Sequence, residues 1–323
     1  MRIGQNPAKY VKEVAQPARI TVAVLNYIPF LSGYYAEMLD VLKACLGSIW
    51  EHSDLPYDLL VFDNGSCPEV LQWLADQRDA GRIQYLLLSE KNLGKGGAWN
   101  MILAGAPGEI IAYADNDVLF SKGWLSESVR VLETYPKTGM VTARPFRTKP
   151  EYFTSTLDWG RSTEGVTLEE GQLIQLEDFS SFEISLGNTE EQALERYNST
   201  SDIQLSYQGV PAMAGASHWQ FCAYKSVLQN FLPFRMDRPM GQVKQLDQRM
   251  NEEGFLRLMV AKPLAQNMSN TLSRGPAGTA AAHQAGQPSA GRKLGLAKRL
   301  ARLPGIRGAL LALHDLIFRL YYD

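Results

Sequence analysis

The stretch Glu109-Ile-Ile-Ala-Tyr-Ala-Asp115-Asn-Asp117-Val-Leu-Phe120 decides the fold and points to a site. Its apolar run, residues 110–114, predicts a strand buried on both faces, as in a parallel sheet. Two carboxylates separated by one residue follow, and residues i and i+2 of an extended chain point to the same side. Asp115 and Asp117 could therefore converge on one Mg2+ or Mn2+ that holds a diphosphate. The alternative is an acidic turn that ends the strand and caps the next helix.

Length and composition describe an ordinary globular chain. Its 323 residues can form one large α/β domain with an appendage, or two small domains. The net charge of -2 gives no support to nucleic-acid binding, which usually requires a strongly basic domain. The three cysteines lack metal-binding spacing and indicate a reducing compartment rather than a disulfide scaffold. We see no signal peptide and no membrane span, so we expect a cytoplasmic protein.

Strand-like and helix-like segments alternate up to residue 150. The predicted strands are 20–25, 58–62, 83–88, 110–114 and 140–143, and the predicted helices are 35–49, 68–77, 98–104 and 123–133. The connections are long enough for right-handed crossovers, which predicts an α/β fold with a mostly parallel sheet flanked by helices. The carboxyl ends of parallel strands share one edge, so one ligand could contact all the turns that follow them.

Composition divides the chain into six parts. Residues 151–204 are rich in Asp and Glu and predict an acidic insertion or flap, with a solvated linker or an acceptor-binding segment as alternatives. Order is expected to return with a strand and a helix over 209–225, a helix over 241–254 and a strand over 255–261. The predicted parts are a lead-in (1–18), two halves of one domain (19–150 and 205–270), the acidic insertion between them, a linker (271–291) and a tail (292–323).

The last two parts differ sharply from the rest. Residues 271–291 are rich in Ala, Gly, Pro and Gln and predict a flexible linker. Residues 292–323 combine basic residues with apolar residues at helical spacing, which predicts a basic amphipathic helical tail. Such a tail could make peripheral contact with an anionic membrane surface, at the inner face of the membrane, or dock on the body of the protein.

Polar and glycine-rich turns follow the second and third predicted strands. In Asp63-Asn-Gly-Ser66, the carboxylate could accept hydrogen bonds from a base or a ribose, or it could serve only the turn and the helix cap. In Asn92-Leu-Gly-Lys-Gly-Gly97, the glycines allow close backbone approach, and the following helix offers N–H groups to an anion. Lys91 and Lys95 add positive charge. The hydroxyl residue of a Walker loop is missing.

Four segments together resemble family 2 glycosyltransferases of the GT-A fold. They are Val22-Ala-Val-Leu-Asn26-Tyr, Val61-Phe-Asp63-Asn-Gly-Ser66, Asn92-Leu-Gly-Lys-Gly-Gly-Ala-Trp-Asn100 and Ala114-Asp-Asn-Asp-Val118, in the order and spacing of the family. The resemblance covers residues 19 to 145 well, covers 205–270 loosely, and leaves out the tail. It implies a Rossmann-like α/β domain that binds a nucleotide-diphosphate sugar.

The resemblance also implies a role for each turn. Asp63 would contact the base or the ribose, and residues 92–100 would line the donor sugar and the diphosphate. The aspartate pair would hold the ribose and Mn2+ or Mg2+. The residues expected to bind the donor are Asn26, Asp63, Asn92, Gly94, Lys95, Gly96, Asn100 and Asp115, and those expected to bind the metal are Asp117 and Asp115.

The second half departs from the family pattern. Family members carry an acidic group, which includes the general base, near the start of a helix that ends in Arg and Gly. Here that helix keeps its Arg and Gly, but the aligned acidic positions are Gln242, Val243 and Gln245. Asp247 is the predicted base and Asp237 the next candidate. The alternative for Asp247 is a surface aspartate paired with a basic neighbour.

Two more positions complete the predicted site. A metal-binding His of the family is replaced by Asn267, which would weaken metal affinity or leave the metal mainly to Asp117 and the diphosphate. His218 and Trp219 are predicted on the acceptor side, where the indole could stack on a sugar ring or fill the core.

The predicted function is an inverting, metal-dependent hexosyltransferase. Its donor would be a nucleotide-diphosphate sugar, and its acceptor a saccharide, lipid-linked or other hydroxyl in cell-envelope polysaccharide or glycoconjugate synthesis. One alternative is a non-catalytic nucleotide-sugar-binding protein with a degenerate site. The other is a sugar nucleotidyltransferase, which would need a basic glycine-rich loop where this chain has Asn26-Tyr-Ile-Pro-Phe30. Nucleic acid is not an expected partner.

Overall fold

Residues 5–237 and 243–272 are described by the computed structural model. The chain divides into two units, Met1–Pro276 and Ala277–Asp323, and the second unit lies outside the described residues. The predicted tail (292–323) and nearly all of the predicted linker (271–291) therefore lie outside the description as well. Within the described ranges, no helix is both long enough and apolar enough to cross a membrane.

The first half forms four parallel strands with helical crossovers, as the apolar runs predict. The strands are β1 Ile20–Asn26, β2 Tyr57–Asp63, β3 Tyr85–Leu88 and β4 Ile110–Asp115, and the helices are α1 Met38–His52, α2 Pro68–Asp79 and α3 Gly94–Gly105. The strands lie in the order β3-β2-β1-β4, and each neighbouring pair is parallel. The carboxyl ends of all four strands therefore lie at one edge of the sheet.

Helices cover both faces of this sheet because each central strand is apolar on both sides. Val22 and Val24 of β1 pack into the cluster that contains α1 and α2, while Ala23 packs into the cluster that contains α3. Alternate residues of a strand point to opposite faces, so both faces need cover. Trp99 supplies much of the cover from α3, where it is fully buried. The predicted α/β class is confirmed.

The second half adds a mixed sheet to the first. Its elements are β5 Val118–Phe120, α4 Trp124–Thr134, β6 Thr138–Thr142, α5 Thr154–Ser162, β7 Thr167–Gly171, α6 Leu176–Ser185, α7 Glu190–Ser199, β8 Asp202–Tyr207, β9 Val210–Ala214, β10 Gln220–Tyr224, α8 Lys225–Gln229, α9 Val243–Glu252, β11 Leu256–Val260 and β12 Ala265–Asn267. The large sheet continues from β4 in the order β10-β6-β11-β9-β8-β7. Only β6 and β11 pair in parallel there, so the mostly parallel pairing expected from the sequence holds for the first half alone.

Two local predictions are corrected by the structure. Helix α3 begins at Gly94 rather than at Ala98, so the glycines expected in a loop form the first helical turn. The segment 209–225, predicted as a strand and then a helix, forms the two strands β9 and β10, and the short helix α8 begins only at Lys225. Strand β10 fills the gap between β4 and β6, a pairing between distant parts of the chain that local periodicity does not reveal.

The acidic segment 151–204 is folded rather than a solvated linker. It contributes α5, β7, α6, α7 and part of β8. Its two buried acids, Asp202 and Glu183, have arginine partners. Arg147 Nε donates to Asp202 Oδ1 over 2.7 Å with both side chains buried. Buried Glu183 accepts from Arg196 Nη1 over 3.0 Å. These pairs fix helices α6 and α7 beside the edge strands of the sheet.

Candidate functional site

Asn26 joins three chain segments at the carboxyl edge of the sheet. It lies at the end of β1, fully buried, where its Nδ2 donates to Asp63 Oδ2 over 2.7 Å and to Ser66 Oγ over 3.0 Å. Its Oδ1 accepts from Nδ2 of Asn116, the residue between the two aspartates, over 2.7 Å. A buried amide with three partners holds the turns after β1, β2 and β4 in a fixed relation.

Asp63 is buried and already engaged by its own turn. Besides Asn26, its carboxylate accepts from the backbone N–H groups of Gly65 (3.1 Å) and Ser66 (2.8 Å). Gly65 has φ of +94°, which an L side chain rarely adopts, so the turn has its glycine at the position that needs it. This geometry favours the turn role that the sequence left open, and the predicted contact with a base or ribose stays a prediction.

A second polar link ties the turn after β2 to the start of α3. The Asn64 side chain donates to Asn92 Oδ1 over 2.9 Å and accepts from the Leu93 backbone N–H over 2.9 Å. Asn92 Oδ1 also accepts from the Gly94 backbone N–H over 2.8 Å. These bonds occupy the Leu93 and Gly94 N–H groups and position the N-terminus of α3, where the following N–H groups and the helix dipole favour an anion.

Lys95 reaches from the first turn of α3 to the first aspartate. Its Nζ lies 2.7 Å from Asp115 Oδ2, and its side chain is only 7% exposed. The other carboxylate oxygen, Asp115 Oδ1, accepts from the Tyr113 hydroxyl over 2.5 Å. The ammonium also lies 5.6 Å from the Trp99 ring and 5.7 Å from the Tyr113 ring, both within cation–π range. Both oxygens of Asp115 therefore have partners.

Asp117, unlike Asp115, lacks close hydrogen-bond partners for its carboxylate among the described residues. Its Oδ1 is buried and has no hydrogen-bond partner among the described residues, and its Oδ2 accepts only a long bond of 3.4 Å from Asn267 Nδ2. Burial, followed by repulsion from Asp115, raises the pKa of Asp117 to about 7, against the attraction of Lys95. A buried carboxylate with an unpartnered oxygen is costly unless a cation or proton balances it.

These residues fit a divalent cation. Mg2+ and Mn2+ prefer hard oxygen ligands, and the unpartnered Asp117 oxygen offers one in a place that disfavours its lone charge. Strand β12 pairs with β5 and sets Asn267 opposite Val118, which brings a neutral amide close to Asp117. No group of three or more His, Cys, Asp or Glu in the described ranges could hold a metal, so a bound cation would need further ligands from a diphosphate.

A chain of three ionisable residues lies at the neighbouring strand. His218 Nδ1 is 2.9 Å from Asp247 Oδ2, and Arg257 Nη2 donates to Asp247 Oδ1 over 2.5 Å. His218 precedes β10, Asp247 lies in α9 and Arg257 in β11. The pairing expected by the alternative for Asp247 is thus observed, but at a buried position rather than on the surface. As the base, Asp247 stays a prediction.

The remaining predicted residues lie in three different environments. Trp219 packs its ring against Phe182 of α6, with centroids 5.8 Å apart, so it is partly buried as a core residue. Asn100 is turned away from the aspartates, because its amide exchanges two hydrogen bonds with the backbone of Phe234. Asp237 is exposed and directly precedes residues 238–242, which lie outside the description.

Sequence reasoning missed three contributors to the site. Tyr113 lies in the apolar run of β4, where it looks like an ordinary core residue, yet its hydroxyl binds Asp115. Asn116 sits between the two aspartates and could have been proposed from its position alone. Arg257 stands in a buried strand, and a charged residue inside a predicted buried strand is the signal that could have pointed to a buried partner.

The family model of glycosyl transferase family 2 matches residues 33–201, just over half of the chain. No curated protein matches the sequence. Among solved structures, the mannosyltransferase PcManGT from Pyrobaculum calidifontis, in complex with GDP-Man and Mn2+, shows 18% identity and a TM-score of 0.45 over 77% of this chain and 56% of that chain. TarS from S. aureus (residues 1–349) shows 15% identity and a TM-score of 0.45 over 78% of this chain and 60% of that chain. The chain thus covers less than two thirds of either structure.

Proposed function

The chain belongs to glycosyl transferase family 2, and from this premise we propose that it transfers a sugar from a nucleotide-diphosphate donor to an acceptor hydroxyl. The observation that carries the proposal is the unpartnered, buried oxygen of Asp117 beside Asp115, at the sheet edge where α3 presents its N-terminus. We propose that the diphosphate and its cation bind at this edge.

The donor would lie across the turns after β1 to β4. Asn26, Asp63 and Asn92 hold these turns in place, and the first turn of α3, residues 94–96, would face the diphosphate. Lys95 would share its charge between Asp115 and the nearest phosphate oxygens. Three hydrogen bonds leave one acceptor site on Asp63 Oδ2, so a direct contact requires a donor on the base or ribose to reach this buried oxygen.

Mn2+ or Mg2+ would be held by Asp117, with Asp115 as second ligand and Asn267 as a neutral neighbour. When bound, the cation would neutralise charge on the leaving diphosphate. The protein's own part is to keep the Oδ1 atom of Asp117 away from solvent, while Lys95 and Tyr113 keep Asp115 in one orientation. These contacts leave the Asp117 oxygen free for a ligand in the described part of the chain.

The proposed reaction is a single in-line displacement. The acceptor oxygen forms a bond to the anomeric carbon as the bond from that carbon to the diphosphate oxygen breaks, and the bonding electrons leave with the nucleoside diphosphate. A base on the protein takes the acceptor proton. Attack from the face opposite the leaving group inverts the anomeric configuration, which NMR of the product would show.

The acceptor is proposed to be a saccharide or a lipid-linked hydroxyl of the cell envelope. Support comes from the family and from the basic, amphipathic composition of 292–323. Binding to anionic liposomes should weaken when 292–323 are deleted. Equal binding of the full and shortened chains would show that the tail has no membrane role.

Nucleotide binding tests the donor site directly. We expect one nucleoside diphosphate among UDP, GDP, dTDP and CDP to raise the thermal midpoint with Mn2+ and not with EDTA, because a ligand specific to the native state stabilises it by about 2.7 kcal/mol at about 100 times its Kd. Asp117→Ala should lose this shift. The matched control, Asp79→Ala, changes an exposed aspartate at the end of α2 and should keep it. An equal shift in Asp117→Ala would remove the basis of the metal assignment.

A further inference from the structure

His218, Asp247 and Arg257 form a linear chain from the interior toward solvent. The His218 side chain is 26% exposed, Asp247 is 8% exposed and Arg257 is 1% exposed. Only the histidine therefore has a substantial surface that a substrate could reach. From this order and the contacts that hold it, we propose that His218 takes the proton of the acceptor hydroxyl and that Asp247 positions it. The inference rests on the proposed transferase function.

Asp247 is poorly placed to accept the proton itself. One of its oxygens accepts from Arg257 Nη2 and the other faces His218 Nδ1, so each oxygen already has a partner. Arg257 is in turn fixed by the carbonyl oxygens of Ala216 and Tyr152, each 2.7 Å from a guanidinium nitrogen. A buried carboxylate held by a guanidinium orients the group on its other side.

The contact between His218 and Asp247 also decides which imidazole nitrogen is available. An ionised carboxylate can only accept, so the shared proton lies on Nδ1, and Nε2 keeps its lone pair. Nε2 has no hydrogen-bond partner in residues 5–237 and 243–272. A histidine held in this tautomer is prepared to receive a proton at Nε2.

The sheet order places His218 across β4 from the turns that would hold the donor. Strand β4 has β1 on one side and β10 on the other, and Gln220 of β10 lies opposite Ala114. The Trp219 carbonyl accepts from the Asp115 backbone N–H over 2.9 Å. The residue next to His218 in the chain is therefore hydrogen-bonded directly to the first aspartate of the pair. The donor turns lie on the β1 side. An acceptor that enters from the β10 side would meet the imidazole and the anomeric carbon together.

The step balances without any further reagent. The acceptor O–H bond breaks, its proton moves to His218 Nε2, and the oxygen forms the new bond to the anomeric carbon. The bond to the diphosphate breaks, and its electron pair leaves on the nucleoside diphosphate. His218 then carries a positive charge, which ionised Asp247 stabilises at Nδ1. Release of that proton to solvent restores the starting state.

The experiment uses the full chain and release of nucleoside diphosphate from UDP-, GDP-, dTDP- and CDP-sugars, with water or an added saccharide as acceptor. The variants are His218→Ala and Asp247→Asn. The control is His52→Ala, which changes a histidine in the last turn of α1. A general base contributes about 100-fold to 10,000-fold, so His218→Ala should lose at least about 100-fold in kcat with donor KM and thermal midpoint unchanged. His52→Ala should match the unmodified chain.

Added imidazole separates a catalytic histidine from a structural one. Free imidazole should restore part of the lost turnover in His218→Ala, because it can occupy the vacated space and accept the proton. It should do nothing for Asp247→Asn, where the histidine is present but no longer held in the right tautomer, and where kcat should fall while KM holds.

The outcomes distinguish a failure of the role of His218 from a failure of the proposed transferase function. Turnover that requires Asp117 but persists in His218→Ala would overturn the role of His218 and leave the transferase intact. A loss of kcat that imidazole does not restore, together with a lowered thermal midpoint, would assign His218 to structure alone. If the unmodified chain releases no nucleotide from any donor, both the proposed function and this inference fall.

Discussion

Replacing Asp117 by Asn should stabilise the metal-free protein, and more so at higher pH. The substitution keeps the shape of the side chain and removes a charge that the surroundings disfavour. Burial and the neighbouring Asp115 raise the pKa of Asp117 to about 7, against about 3.9 in an unfolded chain. A difference of about 3 pKa units corresponds to roughly 4 kcal/mol of unfolding free energy.

The sign follows from proton binding. Between about pH 4 and about pH 7 the folded state holds a proton at this pair that the unfolded state has lost, so the free energy of unfolding falls as pH rises through that window. Above about pH 7, the destabilisation by the ionised Asp117 reaches its full size. The amide of the Asp117→Asn variant does not titrate, so the variant's advantage over the unmodified chain should grow by about 2–3 kcal/mol between about pH 5 and about pH 8.

Urea denaturation in EDTA at the two pH values measures this growth. The comparison cancels all other titrating groups, and Asp79→Asn, at an exposed aspartate, should show no growth. Addition of Mn2+ at the higher pH should stabilise the unmodified chain and leave the variant unchanged. A difference between variant and unmodified chain that is the same at both pH values would refute the claim that Asp117 carries an uncompensated buried charge.

Two further predictions concern the scaffold, each with a matched control. In α3, Gly97→Ala should lower the free energy of unfolding by about 1–3 kcal/mol, because its Cβ would lie 2.8 Å from Leu93 Cβ. The control Gly105→Ala, whose Cβ would have nothing within 4 Å, should be neutral or stabilise by up to about 1 kcal/mol. Equal thermal midpoints of the two variants would contradict the close packing at Gly97. Arg147→Met should lower the free energy of unfolding by about 3–5 kcal/mol in urea denaturation, because it leaves the buried Asp202 carboxylate with no cationic partner and only the backbone N–H groups of Leu173 and Ile174. Lys149→Met breaks only an exposed pair and should stay within about 0.5 kcal/mol, and a small effect in both variants would contradict the buried pair.

The parts of the fold that depend on local pattern could be predicted from the sequence. The apolar run of β4 is buried on both faces, and strands β1, β2 and β3 follow one another along the chain as predicted and share its carboxyl edge. Such runs fix strands because no polar residue interrupts their burial. Family 2 membership is confirmed by the family match.

What could not be predicted depends on contacts between distant residues. Strand β10 pairs with β4 and β6, although its own sequence is compatible with a helix. The short ladder of β12 with β5 brings Asn267 to Asp117 from 150 positions away. Asn100 lies in one of the segments that resemble the family, but its amide is hydrogen-bonded to the Phe234 backbone. No local sequence rule distinguishes an asparagine that contacts a ligand from one that contacts a loop.

The chemical environments of the aspartate pair and of Asp247 also depend on contacts between distant residues. The spacing of Asp115 and Asp117 predicts convergence on one cation, but only the folded chain shows that one carboxylate is satisfied and the other is not. The environment of Asp247 depends on Arg257 and His218, which come from two other elements. The charge and hydrogen bonding of these side chains are therefore set by the folded structure and not by the local sequence.

The central claim is that this edge cleaves a nucleotide-diphosphate sugar, and release of the nucleoside diphosphate tests it most directly. The unmodified chain should release one nucleotide from a panel of UDP-, GDP-, dTDP- and CDP-sugars, with Mn2+ present and not with EDTA. Asp117→Ala should abolish the release, and Asp79→Ala should keep it. Binding of the nucleotide without release from any donor, with or without an added acceptor, would contradict the account and leave a nucleotide-sugar-binding protein.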